Sequence, residues 1–137
     1  MNVIVDTSVW SLALRRQKTT VSLEAAELAE LIREGRTALL GPVRQELLSG
    51  MLSVQHHEIL REHLRAFPDV VLEWEDYEEA AEFFNRCRAR GVQGSNTAFL
   101  ICAAAARRQF TILTTDADFI HMAKVLPIEI HVPRTAG

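Results

Sequence analysis

Three acidic residues, Asp6, Glu46 and Asp116, each stand just beyond a short apolar run or in the helix that follows one. Asp6 follows Val3-Ile4-Val5, Glu46 comes shortly after Ala38-Leu39-Leu40, and Asp116 follows Thr111-Ile112-Leu113-Thr114. If those runs are parallel strands, the acids meet, because residues just past the carboxyl ends of parallel strands share one edge of the sheet. Carboxylates gathered on one rim repel each other, and a divalent cation relieves that repulsion. Mg2+ or Mn2+ suits such a site, since hard ions take oxygen ligands and Mg2+ leaves coordination places for water and a substrate phosphate. One or two such ions promote hydrolysis of a phosphodiester by activating water and stabilising the leaving oxygen.

Each acid also has a plain structural reading. Asp6-Thr7-Ser8 after a strand is a good helix start. Asp116 and Asp118 would place negative charge at a helix N-terminus, where the dipole favours it. Glu46, at the edge of an apolar stripe, reads alone as a solvated glutamate. Only the set points to chemistry.

The elements that would position this set alternate. Val3–Val5 leads into a helix through Val9–Leu14, and Val21–Glu34 has helical spacing that stops at Gly35. Ala38–Leu40 reads as a buried strand, Pro42 to Gly50 as a helix, and the stretch through Ile59, Leu60, Leu64 and Phe67 as another that closes before Pro68. Val70–Leu72 reads as a strand and Asp76–Arg90 as a helix with acids early and arginines late. A helix over Phe99–Ala106, capped by Ser95 or Asn96, is apolar nearly all round and should be buried, with Arg107-Arg108 returning it to water. Thr111–Thr114 is a strand, Asp116–Lys124 a helix and Ile128–Val132 an alternating edge strand before a frayed Pro133-Arg134-Thr135 tail. This order predicts one α/β domain over residues 1–137, a three-layer α/β/α arrangement around a mostly parallel sheet.

Composition narrows the function. With 137 residues and 48% hydrophobic content the chain can bury a core without staples. A net charge of −3 argues against a non-specific nucleic-acid coat, which depends on phosphate neutralisation. Cys87 and Cys102 form no C-x-x-C pattern and read as buried, reduced thiols of a cytoplasmic protein. No apolar run is long enough to span a bilayer, so no membrane role is expected.

Four segments together resemble a known family. Val-Asp-Thr-Ser-Val-Trp at 5–10, Glu46 in Gly-Pro-Val-Arg-Gln-Glu-Leu-Leu-Ser-Gly, Gly-Ser-Asn-Thr-Ala-Phe-Leu-Ile-Cys-Ala at 94–103 and Leu-Thr-Thr-Asp-Ala-Asp-Phe at 113–119 are similar, in order and spacing, to the PIN domain. The compact form with this opening resembles a VapC-type toxin of a toxin-antitoxin pair. That resemblance implies a Mg2+- or Mn2+-dependent endoribonuclease acting on RNA such as transfer RNA, a VapB-like antitoxin and a homodimer. It makes Asp6, Glu46 and Asp116 the first, second and fourth acids, Asp118 an additional ligand, and Thr7, Ser8 and Asn96 supporting polar groups. In the third acidic place, before Phe99, the family pattern has aspartate and this chain has Ala98. An acid in the first turn of that helix would be favoured by its dipole, so alanine has no evident structural motive. The expectation is a replacement, engineered to silence a toxic enzyme, with a naturally degenerate site as the alternative.

Other features read more plainly. His56, His57 and His63 lack an i,i+4 metal pair and read as surface residues. Arg86, Arg88 and Arg90 complete a helix dipole; Arg15 and Arg16 are better candidates for RNA contact; Trp10 reads as core. The helix start near Asn96 is a candidate phosphate seat. A non-catalytic PIN-like binding module is the rival reading, with Ala98 its best support. A phosphoacceptor or haloacid-dehalogenase-like phosphatase ranks last, because no Asp-x-Asp follows the first strand.

Overall fold

A computed structural model describes residues 2–14 and 22–134. Its elements run β1 (Val3–Val5), α1 (Thr7–Leu14), α2 (Leu23–Arg33), β2 (Thr37–Ala38), α3 (Gly41–Leu48), α4 (Val54–Leu64), α5 (Trp74–Ala89), α6 (Asn96–Arg108), β3 (Thr111–Leu113) and α7 (Ala117–Ala123). The strands are parallel in the order β2-β1-β3. Val3 pairs with Thr111 and Val5 with Leu113, so β1 and β3 end level with each other.

Successive strand residues point to opposite faces, and all three residues of β1 and of β3 are buried. Both faces of the sheet are therefore covered by helices, the three-layer α/β/α arrangement expected from the alternation of elements. The buried apolar residues form one cluster, from Val3–Val5 through Leu28 and Leu31 to Ala98–Ala105 and Phe119. Helix α6 is its central helix. Ser95 starts it by accepting from the Ala98 N–H at 3.0 Å, and every residue from Ala98 to Ala105 is buried. Gly94, just before it, sits so close to α7 that an added Cβ would lie 2.0 Å from the Met122 methyl. The start of α6 is thus packed against the last turn of α7.

Four expectations need correction. Val70–Leu72 makes only one parallel bridge, Leu39 to Asp69, with Val70 N–H donating to the Leu39 carbonyl at 2.8 Å. The pairing goes no further because Arg108 takes the Val71 carbonyl at 3.0 Å and the α5 cap begins at Glu73. Ile128–Val132 likewise reduces to a single bridge, Ile112 to Ile130. Its alternation breaks at His131, which turns in to Glu27 while Val132 is left exposed. Arg107 and Arg108 do not simply face water: both bond Asp76, which is fully buried. Arg134 is tied down rather than frayed, with Nε 3.0 Å from a Glu27 oxygen and a guanidinium N–H 2.8 Å from Glu34. Thr135, Val21, Arg15 and Arg16 lie outside the described residues.

Candidate active site

The acidic rim is built at the carboxyl ends of the three strands. Asp6 N–H donates to the Leu113 carbonyl at 2.9 Å, extending the β1–β3 ladder by one residue and bringing Asp6 beside Thr114. The Asp6 side chain does not cap α1. Its Oδ2 accepts from Ser8 Oγ at 2.8 Å and from Thr114 Oγ1 at 2.9 Å, while its backbone carbonyl serves the amides of Val9 and Trp10. Asp6 is only 9% exposed, and among the described residues no Lys, Arg or His pairs with it. A carboxylate so placed keeps a demand for positive charge that two hydroxyls meet only in part.

Glu46 reaches the rim from α3, where its Oε1 accepts from Thr7 Oγ1 at 2.7 Å. Helix α3 is held by Arg44, which donates to Asp69 Oδ1 at 2.9 Å and to the carbonyls of Leu64 and Phe67 at 3.0 and 2.6 Å. Asp116 sits at the start of α7. It does act as a helix cap, Oδ1 accepting from Asp118 N–H at 2.9 Å, and its own N–H donates to Thr114 Oγ1 at 3.0 Å. Thr114 therefore joins Asp6 to Asp116 by short contacts across 110 residues of sequence, and Glu46, bonded to Thr7, reaches Asp6 only through the backbone that joins Thr7 to it. Asp118 is exposed one step along α7.

Ala98 occupies the third position of α6 and is 7% exposed. Cys102 lies one turn on, on the same helix face. Burial first, then Cys87 and the charge of Asp6, push the Cys102 thiol up to about 12. Both cysteines are buried free thiols. Asn96 is exposed in the first turn of α6.

The remaining donors are all hard carboxylate oxygens, with no His or Cys among them. That set suits a hard divalent cation, with nothing of the Cys and His donors that mark a structural zinc site. Among the described residues no three Asp, Glu, His or Cys side chains form a cluster placed to hold a metal ion. The rim is an open row, and Mg2+ needs only one or two carboxylates in such a place.

Thr114, at the centre of this row, carries no obvious mark in the sequence beyond a hydroxyl at a strand end two residues before an acid. The other candidates resolve as structural. Trp10 is buried edge-on against Phe67 with ring centres 5.4 Å apart. Arg86 and Arg88 lie over Phe83 and Phe84 of their own helix. His56 and His63 are exposed, and the His57 ring contacts the Leu48 carbonyl at 3.2 Å. No helix among the described residues is long and apolar enough to cross a membrane.

The PIN domain model matches residues 3–125. Ribonuclease VapC11 of Mycobacterium tuberculosis and a VapC ribonuclease of Mycobacterium bovis are each 31% identical over 132 residues, 93% of this chain and 96% of theirs. Among solved structures, FitAcB from Neisseria gonorrhoeae superposes with a TM-score of 0.74 at 21% identity, covering 96% of this chain and 97% of the other. VapBC2 from Rickettsia felis, bound to a promoter DNA fragment, gives 0.74 at 16% identity with 95% and 96% covered. The matched region contains every acid of the rim, and the chain belongs to the PIN domain family, among its VapC-type members.

Proposed function

We propose that this chain is a Mg2+- or Mn2+-dependent endoribonuclease of the VapC type, attenuated by Ala98, that hydrolyses RNA phosphodiesters and is held in check by a VapB-like antitoxin. Transfer RNA is a candidate substrate, the cytoplasm is the compartment and a homodimer is the working form. One observation carries the reading: Asp6 and Asp116 are joined through Thr114, and Glu46 is held by Thr7, the residue next to Asp6, with no basic partner on Asp6 among the described residues.

Asp6, Glu46, Asp116 and Asp118 are the residues from which the one or two carboxylates that hold the cation would come, and the cation would supply the positive charge that polarises a phosphoryl oxygen and acidifies water. The chain's own part is placement. Ser8 and Thr114 fix Asp6, Thr7 fixes Glu46, and the Asp116 cap fixes the start of α7. With alanine at position 98 one anionic ligand is lost, which separates binding of RNA or metal from turnover. An apolar groove of about 770 Å³ between α1, α3 and α4 has Glu46 in its lining beside Leu47, Met51, Ile59 and Leu60. An apolar segment of an antitoxin seated there would cover the rim. The likeness of this chain to the VapBC2 and FitAcB structures supports such a partner.

Single-turnover cleavage of RNA with and without Mn2+ tests this, comparing the chain with Ala98→Asp. The aspartate form should cut in a Mn2+-dependent way, faster than the parent by at least the ~10- to 100-fold that a lost supporting group costs a metal site. The lack of a three-acid cluster among the described residues, together with Ala98, favours a second reading, a non-catalytic PIN-like module. That reading takes over if the aspartate form neither binds Mn2+ more tightly nor cleaves.

A further inference from the structure

Two hydroxyls from opposite ends of the chain converge on one oxygen of Asp6. Ser8 Oγ and Thr114 Oγ1 lie 2.8 and 2.9 Å from Oδ2, and 3.5 Å from each other. Each also faces a backbone amide: Thr115 N is 3.2 Å from Ser8 Oγ, and Asp116 N is 3.0 Å from Thr114 Oγ1. A backbone N–H only donates, so each hydroxyl oxygen accepts from its amide and has its single proton left to give. Both protons therefore go to Asp6, and both go to Oδ2. Among the described residues Oδ1 receives no hydrogen bond. The hydroxyls are in turn oriented by the main chain between β3 and α7, the same segment that carries Asp116.

We propose that Ser8 and Thr114 are positioning residues that reserve Oδ2 of Asp6 for the protein and offer Oδ1 alone to a divalent cation, so that the rim favours Mg2+ or Mn2+ over Ca2+. The proposal rests on the metal-dependent reading above and adds a cause of ion selectivity to it. Ca2+ takes six to eight oxygens and accepts bidentate carboxylates, whereas Mg2+ demands an octahedral set. A carboxylate pinned through one oxygen cannot turn to chelate. It suits the octahedral ion and denies the larger one its extra contact. The burial of Asp6 makes the pinning firm, because at 9% exposure little water competes for Oδ2.

The test needs no turnover. Mn2+ affinity is measured on the full chain from the paramagnetic resonance of free Mn2+, and Ca2+ affinity by its competition against Mn2+. The variants are Thr114→Val, Ser8→Ala, the double variant and Thr114→Ser, with folding checked by circular dichroism. Thr114→Val should weaken Mn2+ binding about tenfold, the loss typical of a hydrogen-bond partner behind a metal ligand. Ca2+ binding should fall less or rise, so that the Mn2+ to Ca2+ preference narrows, most of all in the double variant. Thr114→Ser should restore the preference, because the hydroxyl alone makes both contacts. General loosening of the rim would instead weaken both ions in proportion, and that result, or an unmoved preference with Mn2+ still bound, overturns the proposal. If Thr114→Val fails to fold, Ser8→Ala reads the same ratio. Failure of both this chain and Ala98→Asp to bind Mn2+ removes the metal-dependent function itself, and this proposal with it.

Discussion

Asp6 and Asp76 are both buried aspartates, and they are neutralised in opposite ways. Asp76 is fully buried at the start of α5, with Arg107 2.6 Å from Oδ1 and Arg108 at 2.7 and 2.8 Å from its two oxygens. It also closes a capping box with Glu73, whose amide donates to Oδ2 at 2.8 Å. Among the described residues Asp6 receives two neutral hydroxyls and no cation. A buried charge is tolerated when it is paired, so the described residues supply the counter-charge of Asp76, and under the proposed function that of Asp6 comes from a bound cation. Local pairing thus separates an acid that holds the fold from an acid available to a ligand, although both sit near helix starts and both look alike in sequence.

The most forceful way to break this contrast is to remove Asp76. Asp76→Ala leaves Arg107 and Arg108 facing a buried void and removes the cap, and it should destabilise the chain by about 3 kcal/mol, the lower end for a broken buried pair. The melting temperature should fall by ~10 °C, with or without Mn2+. Arg108 above all, then the Glu73 amide and Arg107, hold the Asp76 carboxyl well below its usual range despite burial. A depressed carboxylate stabilises the fold fully above its ordinary value of 3.8, and that contribution drains away as pH falls below it. Melts from neutral pH down to about 3 should therefore show the parent losing stability faster than Asp76→Asn at the acid end. Parallel pH curves would show that the arginines do not stabilise the charged form.

Asp6→Asn is the complementary change. The amide oxygen can still accept from Ser8 and Thr114, so in EDTA the stability should stay within ~1 kcal/mol of the parent. The difference appears when Mn2+ is added. At a hundred times its dissociation constant a bound ion stabilises the parent by about 2.7 kcal/mol, and Asp6→Asn should gain almost none of this. A loss in EDTA as large as that of Asp76→Ala would mean that Asp6 is structural after all.

The sequence carries one half of this contrast better than the other. The ends of β1 and β3 were legible because β-branched runs followed by Asp or Thr mark them, and their parallel, level pairing sets Asp6 beside Thr114. Helix α6 was legible from its run of small and apolar residues, and Gly35 closes α2 with a φ of 68°, a conformation glycine adopts freely. The partners of buried charges were not legible. Asp76 looked like one more acid in the first turn of α5, and Arg107-Arg108 like the solvated end of α6, because a pairing across 31 residues leaves no periodic trace. Thr114 was hidden for the same reason: its role depends on the β1–β3 register, which the residues around it do not encode. The edge strands failed where side chains outcompeted the ladder, Arg108 at Val71 and His131 at Glu27.

Glu27 offers an intermediate case and the smallest expected effect. It is 2% exposed on α2, and although burial opposes its ionisation, His131 and Arg134 hold its carboxyl below the usual range. Arg134 also reaches Glu34, so it clamps the end of the described chain onto α2. Its side chain is 47% exposed, and solvent screens such a pair, so Arg134→Ala should cost about 1 kcal/mol, with His131 remaining on Glu27. Chemical denaturation reads that change. The same protein should bind Mn2+ as the parent does, because Glu27 keeps an internal partner and shares no hydrogen bond with the rim. A change in Mn2+ affinity would couple the two regions and show that internal pairing does not by itself separate structural acids from those open to a cation.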